Sequence, residues 1–205
     1  MIEENILTHF GNWWAVLVWI AIYGVFLLFV PFYKKSSVKP TGAYLAFVVA
    51  FAIEMFGIPF SMFALGGIFG IWLPEGILWG HTLGTYIGDL GTWIGVLVSL
   101  IGAALVLIGW KKIHTNYWIK ETGEGELVTD GVYKYLRHPQ YTGFFLITFG
   151  IMLGWATIPL IVLYVLLLVL YYRLAKKEED DMVDEFGEEY EEYRKKTKMF
   201  IPYIV

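Results

Sequence analysis

Long apolar stretches recur along most of the chain and constrain its fold more than any other feature. Stretches of about 20 residues are long enough to cross the hydrocarbon core of a bilayer as helices. Charged residues make up only 17% of the 205 residues, whereas a soluble domain carries about 25%. The sequence therefore predicts an all-α, polytopic membrane protein that forms a single membrane domain over residues 1–205.

We predict about five transmembrane helices in two parts. Residues 1–112 would hold three N-terminal spans, and residues 113–205 would hold the C-terminal half with a helical hairpin at 141–172. Gly, Pro and Trp interrupt the apolar sequence at 66–91, which indicates a re-entrant or interfacial connection. The predicted spans are Asn12–Phe32, Thr41–Leu65, Thr92–Trp110, Tyr141–Trp155 and Ile158–Tyr172.

Small residues recur at helical spacing in the third predicted span. Such residues let two helix backbones approach closely in a membrane. We therefore expect this span to pack tightly against another helix through Gly95, Ser99, Gly102 and Ala103.

The charged tail, residues 176–198, is predicted to be a cytoplasmic amphipathic helix or helix pair. It contains ten of the 19 acidic residues and a set of apolar residues at helical spacing. Gly187 would end one helix and let another begin.

The basic residues predict the orientation of the chain. All 15 Lys and Arg residues fall in segments that the five predicted spans place on the same side of the membrane. By the positive-inside tendency, we expect the N-terminus outside and the central polar stretch, with any active site there, and the C-terminus on the cytoplasmic side.

Several classes of chemistry find no support in the sequence. The chain has no cysteine, which excludes disulfides, thiolate nucleophiles and cysteine metal sites. The common hydrolase, metalloprotease and nucleotide-loop motifs are absent, and no basic stripe indicates nucleic-acid binding. We expect no metal site. Glu54 would be a helix-packing residue or a substrate contact, and we expect structural or solvent-facing roles for His81 and Asp89.

The longest polar, turn-rich stretch is Gly125–Gly143, which runs into the fourth predicted span. Asp130-Gly131 is a turn signal, and Pro139 suits a first helical turn. Free amide groups and the helix dipole at this end would favour a carboxylate or phosphate oxygen of a ligand. An ordinary anchor at the membrane surface would contain similar residues, so both interpretations stay open. Three tyrosines could stack on a heterocycle: Tyr133, Tyr135 and Tyr141.

Two motifs lie within residues 127–202. The first reads Leu127-Val128-Thr129-x-Gly131-x-Tyr133-x-x-x-Arg137-His138-Pro139-x-Tyr141-x-Gly143. The second, after the predicted hairpin, reads Glu178-Glu179…Phe186-Gly187-x-x-Tyr190-x-x-Tyr193…Pro202. Together they resemble the isoprenylcysteine carboxyl methyltransferase and phospholipid methyltransferase superfamily of integral membrane methyltransferases.

This resemblance implies an enzyme that uses S-adenosylmethionine. Its acceptor would be a lipid-like or small amphiphilic molecule that enters from the bilayer and carries a carboxyl, amine or thiol group. The resemblance also implies the residues that bind the cofactor, which lie in the central stretch and at the start of the tail helix. They are Gly125, Glu126, Leu127, Val128, Tyr133, Arg137, His138, Pro139, Gln140, Tyr141 and Glu178.

The implied catalytic residues are Arg173 and Glu179. The superfamily places an arginine facing the acceptor at the position that Leu174 occupies here. Arg173 lies one residue earlier, which rotates a helical side chain by about 100°. Glu179 or His138 would take a proton from an amine acceptor, whereas a carboxylate or thiolate needs no base. The chain also departs from the carboxyl methyltransferases at Trp118, where they have a polar residue.

Two alternatives stay open. Membrane sterol and steroid reductases resemble the same Arg-His-Pro-x-Tyr region and bind NADPH there. They have Asn after the proline and Gly-Glu two residues past the tyrosine, where this chain has Gln140 and Gly143-Phe144. The residues therefore favour methyl transfer over reduction. The other alternative is a non-catalytic membrane protein. The sequence does not determine the oligomeric state.

Overall fold

A computed structural model describes residues 13–26, 44–45, 48–49, 52, 68–70, 90–113 and 127–202 of the chain. Within these ranges the protein is helical and contains no strand, which confirms the all-α prediction for this part of the chain. The helices are α1 (Trp13–Gly24), α2 (Leu90–Ile113), α3 (Pro139–Gly154), α4 (Ile158–Phe186) and α5 (Glu188–Lys196). Predictions for Glu54, His81, Asp89 and Trp118 lie outside the described residues.

Helix α2 is the described helix that is long and apolar enough to cross a membrane. It has 24 residues, and its most apolar window has a mean hydropathy of 2.3. Large apolar side chains on its surface are exposed, among them Trp93, Leu97 and Leu100. The full number of spans stays a prediction.

Helices α2 and α3 pack closely through the small residues that the sequence indicated. A Cβ atom on Gly102 would lie 2.6 Å from the carbonyl oxygen of Gly143 on α3. Ser99 Oγ donates a hydrogen bond of 3.3 Å to the carbonyl oxygen of Ile147. The predicted small-residue face is therefore confirmed, and it holds the two backbones nearly in contact.

Helices α3 and α4 form the predicted hairpin. Only residues 155–157 separate them, and the side chain of Thr157 caps α4 by accepting a hydrogen bond of 3.4 Å from the amide of Leu160. The buried core lies between these helices and extends to Tyr44 and Val48. Its members on the hairpin include Phe144, Ile147, Ile151, Leu160, Leu167, Tyr171 and Leu174.

The structure corrects the predicted boundary between the last span and the tail. A span ending at Tyr172 and a tail starting at Lys176 were expected as separate elements, but α4 continues without a break over 29 residues. No Gly or Pro lies between these positions, so nothing interrupts the helix. The predicted break at Gly187 is confirmed, since this residue has φ 56° and its amide donates to the carbonyl oxygen of Val183 at 2.9 Å.

The segment after α5, residues 197–200, returns to the start of α3. The amide of Arg137 donates to the carbonyl oxygen of Lys198 at 2.8 Å, and the amide of His138 donates to that of Met199 at 3.1 Å. Thr142 Oγ1 donates to the carbonyl oxygen of Phe200 at 2.9 Å. This C-terminal segment thus fixes the backbone that leads into α3.

Replacing Gly102 with Ala should separate α2 from α3, because the new methyl group overlaps the backbone of Gly143. Overpacking of this kind typically costs about 1–3 kcal/mol, so the unfolding midpoint in detergent should fall. Gly154→Ala is the matched control, since its Cβ would make an ordinary contact of 3.8 Å with Thr92. Equal midpoints for the two variants would contradict the close packing.

Candidate functional site

Tyr133 anchors the loop of residues 127–138, which we call the central loop. Its ring is buried in the 3-10 turn Gly131–Lys134. Its hydroxyl donates to the carbonyl oxygen of Gly109 on α2 at 3.2 Å. Its own carbonyl oxygen accepts a hydrogen bond of 2.6 Å from the hydroxyl of Tyr193 on α5. The central loop is therefore tied to the end of α2 and to the tail.

Arg137 connects the central loop to α4 and to the C-terminal segment. Its Nε lies 2.6 Å from Glu179 Oε1 in a nearly buried ion pair. Its Nη1 donates to the carbonyl oxygens of Arg194, at 3.2 Å, and of Thr197. The planar guanidinium can bind all three groups at once because its donors form a fixed fork.

His138 lies between two carboxylates at the N-terminus of α3. Its Nδ1 is 3.6 Å from Glu178 Oε2, and its Nε2 is 3.4 Å from Glu179 Oε1. The imidazole is stacked on the ring of Tyr141, with the ring centroids 5.6 Å apart. The hydroxyl of Tyr141 donates a hydrogen bond to Glu178 Oε1. These four residues form a packed polar cluster where α3 meets α4.

The charges of this cluster favour a protonated histidine. Burial opposes the charged imidazolium, but the carboxylates of Glu178 and Glu179 outweigh it and raise the pKa of His138 above its ordinary value of 6.5. Burial also disfavours the Glu179 carboxylate, yet His138 and Arg137 outweigh that effect and lower the pKa of Glu179. The cluster thus holds alternating positive and negative groups.

A cavity of about 280 Å³ lies between the central loop and the tail helices. This loop–tail cavity is near the lower end of the range for small-molecule sites, roughly 300–1,000 Å³. Residues from α2, the loop, α4 and α5 line it. They are Ile113, Leu127, Val128, Tyr133, Arg137, His138, Glu178, Asp181, Met182, Glu185, Phe186, Tyr190 and Tyr193.

The structure brings together six of the eleven predicted cofactor-binding residues. Leu127, Val128, Tyr133, Arg137, His138 and Glu178 all line the loop–tail cavity. Tyr141 reaches it indirectly, through its hydrogen bond to Glu178. Pro139 and Gln140 are buried at the start of α3, beside Gly109 of α2. Gly125 and Glu126 lie outside the described residues.

Neither predicted catalytic residue lines this cavity. Glu179 is 1% exposed and is held by Arg137. Arg173 is exposed, whereas the adjacent Leu174 is buried in the core. The rotation of one helical position therefore places Arg173 on the outer side of α4.

The tail contributes cavity residues that the two sequence motifs did not predict. Asp181 and Glu185 lie three and seven positions after Glu178, so all three carboxylates share one face of α4. Met182, Phe186, Tyr190 and Tyr193 come from the apolar set at helical spacing in the tail. This periodicity was the signal that could have identified them. Within the described ranges, no group of three or more His, Asp or Glu residues could hold a metal ion.

The central and C-terminal parts of the chain are similar to known methyltransferases. The phospholipid methyltransferase family matches residues 90–189, nearly half of the chain, from the start of α2 into α5. Over 79 residues the chain is 40% identical to a protein-S-isoprenylcysteine O-methyltransferase from Schizosaccharomyces pombe and 37% identical to the one from Homo sapiens. These alignments cover 38% of this chain and 34% and 28% of the two relatives.

A bacterial relative has a different acceptor in its name. The chain is 32% identical over 100 residues to a methanethiol S-methyltransferase from Crocosphaera subtropica, covering 47% of this chain and 37% of the relative. Over these regions the chain is similar to the isoprenylcysteine carboxyl methyltransferase and phospholipid methyltransferase superfamily. The resemblance inferred from the two motifs is therefore confirmed.

The chain spans only about a third of the length of the curated relatives that it matches. The shared region contains α2, the central loop, α3 and α4. It therefore includes most of the residues that line the loop–tail cavity.

Glu179→Gln should lower the pKa of His138, because one of the two carboxylates that stabilise the imidazolium loses its charge. The histidine resonance followed by NMR over a pH series measures this pKa. Asp180→Asn, at an exposed neighbouring position, is the control and should leave it unchanged. An unaltered His138 pKa in Glu179→Gln would contradict the arrangement.

The raised pKa of His138 also determines how the stability of the protein changes with pH. Because the pKa of His138 is raised in the folded protein, its contribution to the free energy of unfolding is complete below the pKa of the unfolded chain, near 6.5. It is lost as the pH rises through the folded pKa. The stability difference between wild type and Glu179→Gln should accordingly shrink on the alkaline side of that pKa.

Arg137→Lys should loosen the C-terminal segment. Lysine keeps the charge, but it lacks the planar fork that reaches Glu179 and two carbonyl oxygens together. Losing these hydrogen bonds should lower the free energy of unfolding by about 1–3 kcal/mol and speed hydrogen exchange at the amides of Arg137 and His138. Asp130→Asn removes the exposed ion pair with Lys112 and should change neither quantity. Unchanged hydrogen exchange at these two amides in Arg137→Lys would show that the hydrogen bonds of the guanidinium are not needed to hold the C-terminal segment.

Proposed function

We propose that this chain is an integral membrane methyltransferase that uses S-adenosylmethionine and methylates a lipid-like or small amphiphilic acceptor. The observation that carries the proposal is the loop–tail cavity. Six residues that the superfamily resemblance assigned to the cofactor line this single cavity, although they come from the central loop and from α4. The similarity of the chain to this superfamily supports the same conclusion.

The cavity suits the chemistry of the proposed donor. Its aromatic and apolar walls, from Leu127, Val128, Phe186 and the tail tyrosines, fit a purine ring. The carboxylates of Glu178, Asp181 and Glu185 suit cationic and hydroxyl groups. His138, with its raised pKa, and Arg137 suit a carboxylate. These complementary groups match a zwitterionic nucleoside ligand.

The protein residues would mainly orient and enclose the reactants. When bound, S-adenosylmethionine supplies an activated sulfonium methyl group, so holding donor and acceptor in line and excluding water are the main requirements. Tyr141 holds the Glu178 carboxylate at the cavity, and its ring stacks on His138, which lines the cavity. Glu179 would act through its contacts with Arg137 and His138. Arg173 would bind the acceptor only from the outer face of α4.

The membrane arrangement is part of the proposal. We propose a multi-pass protein with an external N-terminus and with the loop–tail cavity on the cytoplasmic side. Three N-terminal spans in residues 1–112 would precede the catalytic half in residues 113–205. The apolar helix α2 and the exposed apolar side chains in the first half of α4, such as Ile161, Val165 and Val169, support placement in a bilayer.

The acceptor would enter from the bilayer and carry a carboxyl, amine or thiol group. The names of the relatives include a prenylated cysteine and methanethiol. The superfamily match favours methyl transfer over the NADPH-dependent reduction that the Arg-His-Pro-x-Tyr region also suggested. Gln140 and Gly143-Phe144, where the reductases have Asn and Gly-Glu, favour methyl transfer as well.

Glu178→Gln should weaken S-adenosylmethionine binding by about ten-fold or more, because a charged group that faces the ligand is lost. Calorimetric titration of the purified protein with S-adenosylmethionine and, separately, with NADPH measures both affinities. Asp180→Asn is the matched control, since Asp180 is exposed and does not line the cavity. Binding of NADPH in place of S-adenosylmethionine would overturn the proposal in favour of a reductase.

A further inference from the structure

Tyr171 is a buried polar residue that the proposed cofactor site does not use. Its side chain is completely buried between α3 and α4. Its ring is stacked on Phe144, with centroids 5.7 Å apart, and lies 4.8 Å from the ring of Tyr141. Within the described ranges of the chain, no hydrogen-bond partner lies within reach of its hydroxyl.

Tyr171 lies on α4, two helical turns before the cavity residue Glu178. Tyr171 precedes Glu178 by seven residues, so both project from the same face of α4. Tyr141 links them, because its ring contacts Tyr171 and its hydroxyl donates to Glu178. On the other side, Phe144 also contacts Tyr44, so Tyr171 lies where the catalytic half meets the N-terminal part of the chain.

A buried hydroxyl without a partner needs a physical explanation. Loss of hydration in an apolar interior is unfavourable unless a hydrogen bond replaces it. Polar groups at membrane depth commonly mark the path of a substrate. Other core positions on this face of α4, such as Leu167 and Leu174, are apolar, so the hydroxyl is not required to fill the core.

We propose that the Tyr171 hydroxyl donates a hydrogen bond to the nucleophilic atom of the methyl acceptor, and that this atom is an anionic oxygen or sulfur. This inference rests on the proposed function, since it places the acceptor next to the donor cavity. An apolar molecule that ends in a carboxylate or thiolate would lie along the buried aromatic side chains with its charged end at Tyr171. The substrate class is therefore an anionic amphiphile or a small thiolate.

The surrounding charges favour an acceptor that needs no base. His138 is flanked by two carboxylates, and Glu179 is bound by Arg137. Neither predicted proton acceptor is free to deprotonate an ammonium group. With an anionic acceptor, a lone pair on its oxygen or sulfur forms the new bond to the donor methyl carbon. The electron pair of the broken carbon–sulfur bond stays on the donor sulfur, and no proton is transferred.

Tyr171→Phe tests this site, with Tyr172→Phe as the matched control because Tyr172 is the exposed neighbour on α4. The probes are a prenylated N-acetylcysteine, methanethiol, and vesicles containing phosphatidylethanolamine. For each probe we would measure KM, kcat and, without donor, the shift of the unfolding midpoint that the probe causes. For each variant we would also measure the affinity for S-adenosylmethionine and the unfolding midpoint of the free protein.

We expect Tyr171→Phe to raise KM for the carboxylate or thiolate probe about ten-fold and to abolish the stabilisation by that probe. S-adenosylmethionine affinity should stay within about two-fold, and the midpoint of the free protein should be unchanged or higher. Tyr172→Phe should match wild type throughout. A wild-type KM in Tyr171→Phe, or activity only with the phosphatidylethanolamine vesicles, would overturn the proposal.

Two further outcomes distinguish a failure of the acceptor site from a failure of the proposed function. A lower unfolding midpoint in free Tyr171→Phe, with every KM unchanged, would assign the hydroxyl to the fold and overturn the acceptor site. If wild type methylates none of the probes, the proposed function fails. The stabilisation of wild type but not Tyr171→Phe by a probe would then still support the acceptor site, and equal stabilisation of both proteins would overturn it.

Discussion

The ion pair between Arg137 and Glu179 joins three parts of the chain that are far apart in sequence. It links the central loop to α4, and the same guanidinium holds the C-terminal segment through Thr197. Removing one partner of a buried pair typically costs about 3–5 kcal/mol, because the other charge is left uncompensated. The pair also fixes geometry, since it places His138 beside Glu178 at one wall of the loop–tail cavity.

The close packing of α2 against α3 provides the scaffold for this arrangement. With glycine at 102 and 143, the two helices pack backbone to backbone over several turns. This contact positions the N-terminus of α3, where Pro139 starts the helix directly after His138. The central loop leads into α3, and it is anchored to α2 through Tyr133 and to α4 through Arg137. The polar cluster therefore depends on a rigid apolar support within the predicted membrane region.

Local signals in the sequence predicted much of the fold. Pro139 at the start of α3 and Gly187 after α4 were predictable because each residue restricts or permits a particular backbone conformation. The partner of Arg137 was not, since Glu179 is 42 residues away and only tertiary packing brings them together. Likewise, the tail contains ten similar carboxylates. The rotation of α4 determines that Asp181 and Glu185 face the cavity while Asp180 does not.

The uninterrupted course of α4 has a mechanical consequence. A helix rises about 1.5 Å per residue, so Tyr171 and Glu178 are held about 10 Å apart along its axis. No hinge lies between them, because the helix runs unbroken from Ile158 to Phe186. In the proposed membrane arrangement, the helix would therefore fix the depth of Tyr171 in the bilayer relative to Glu178 in the aqueous compartment. If α4 tilted, Tyr171 and Glu178 would move together, and the distance between them would stay constant.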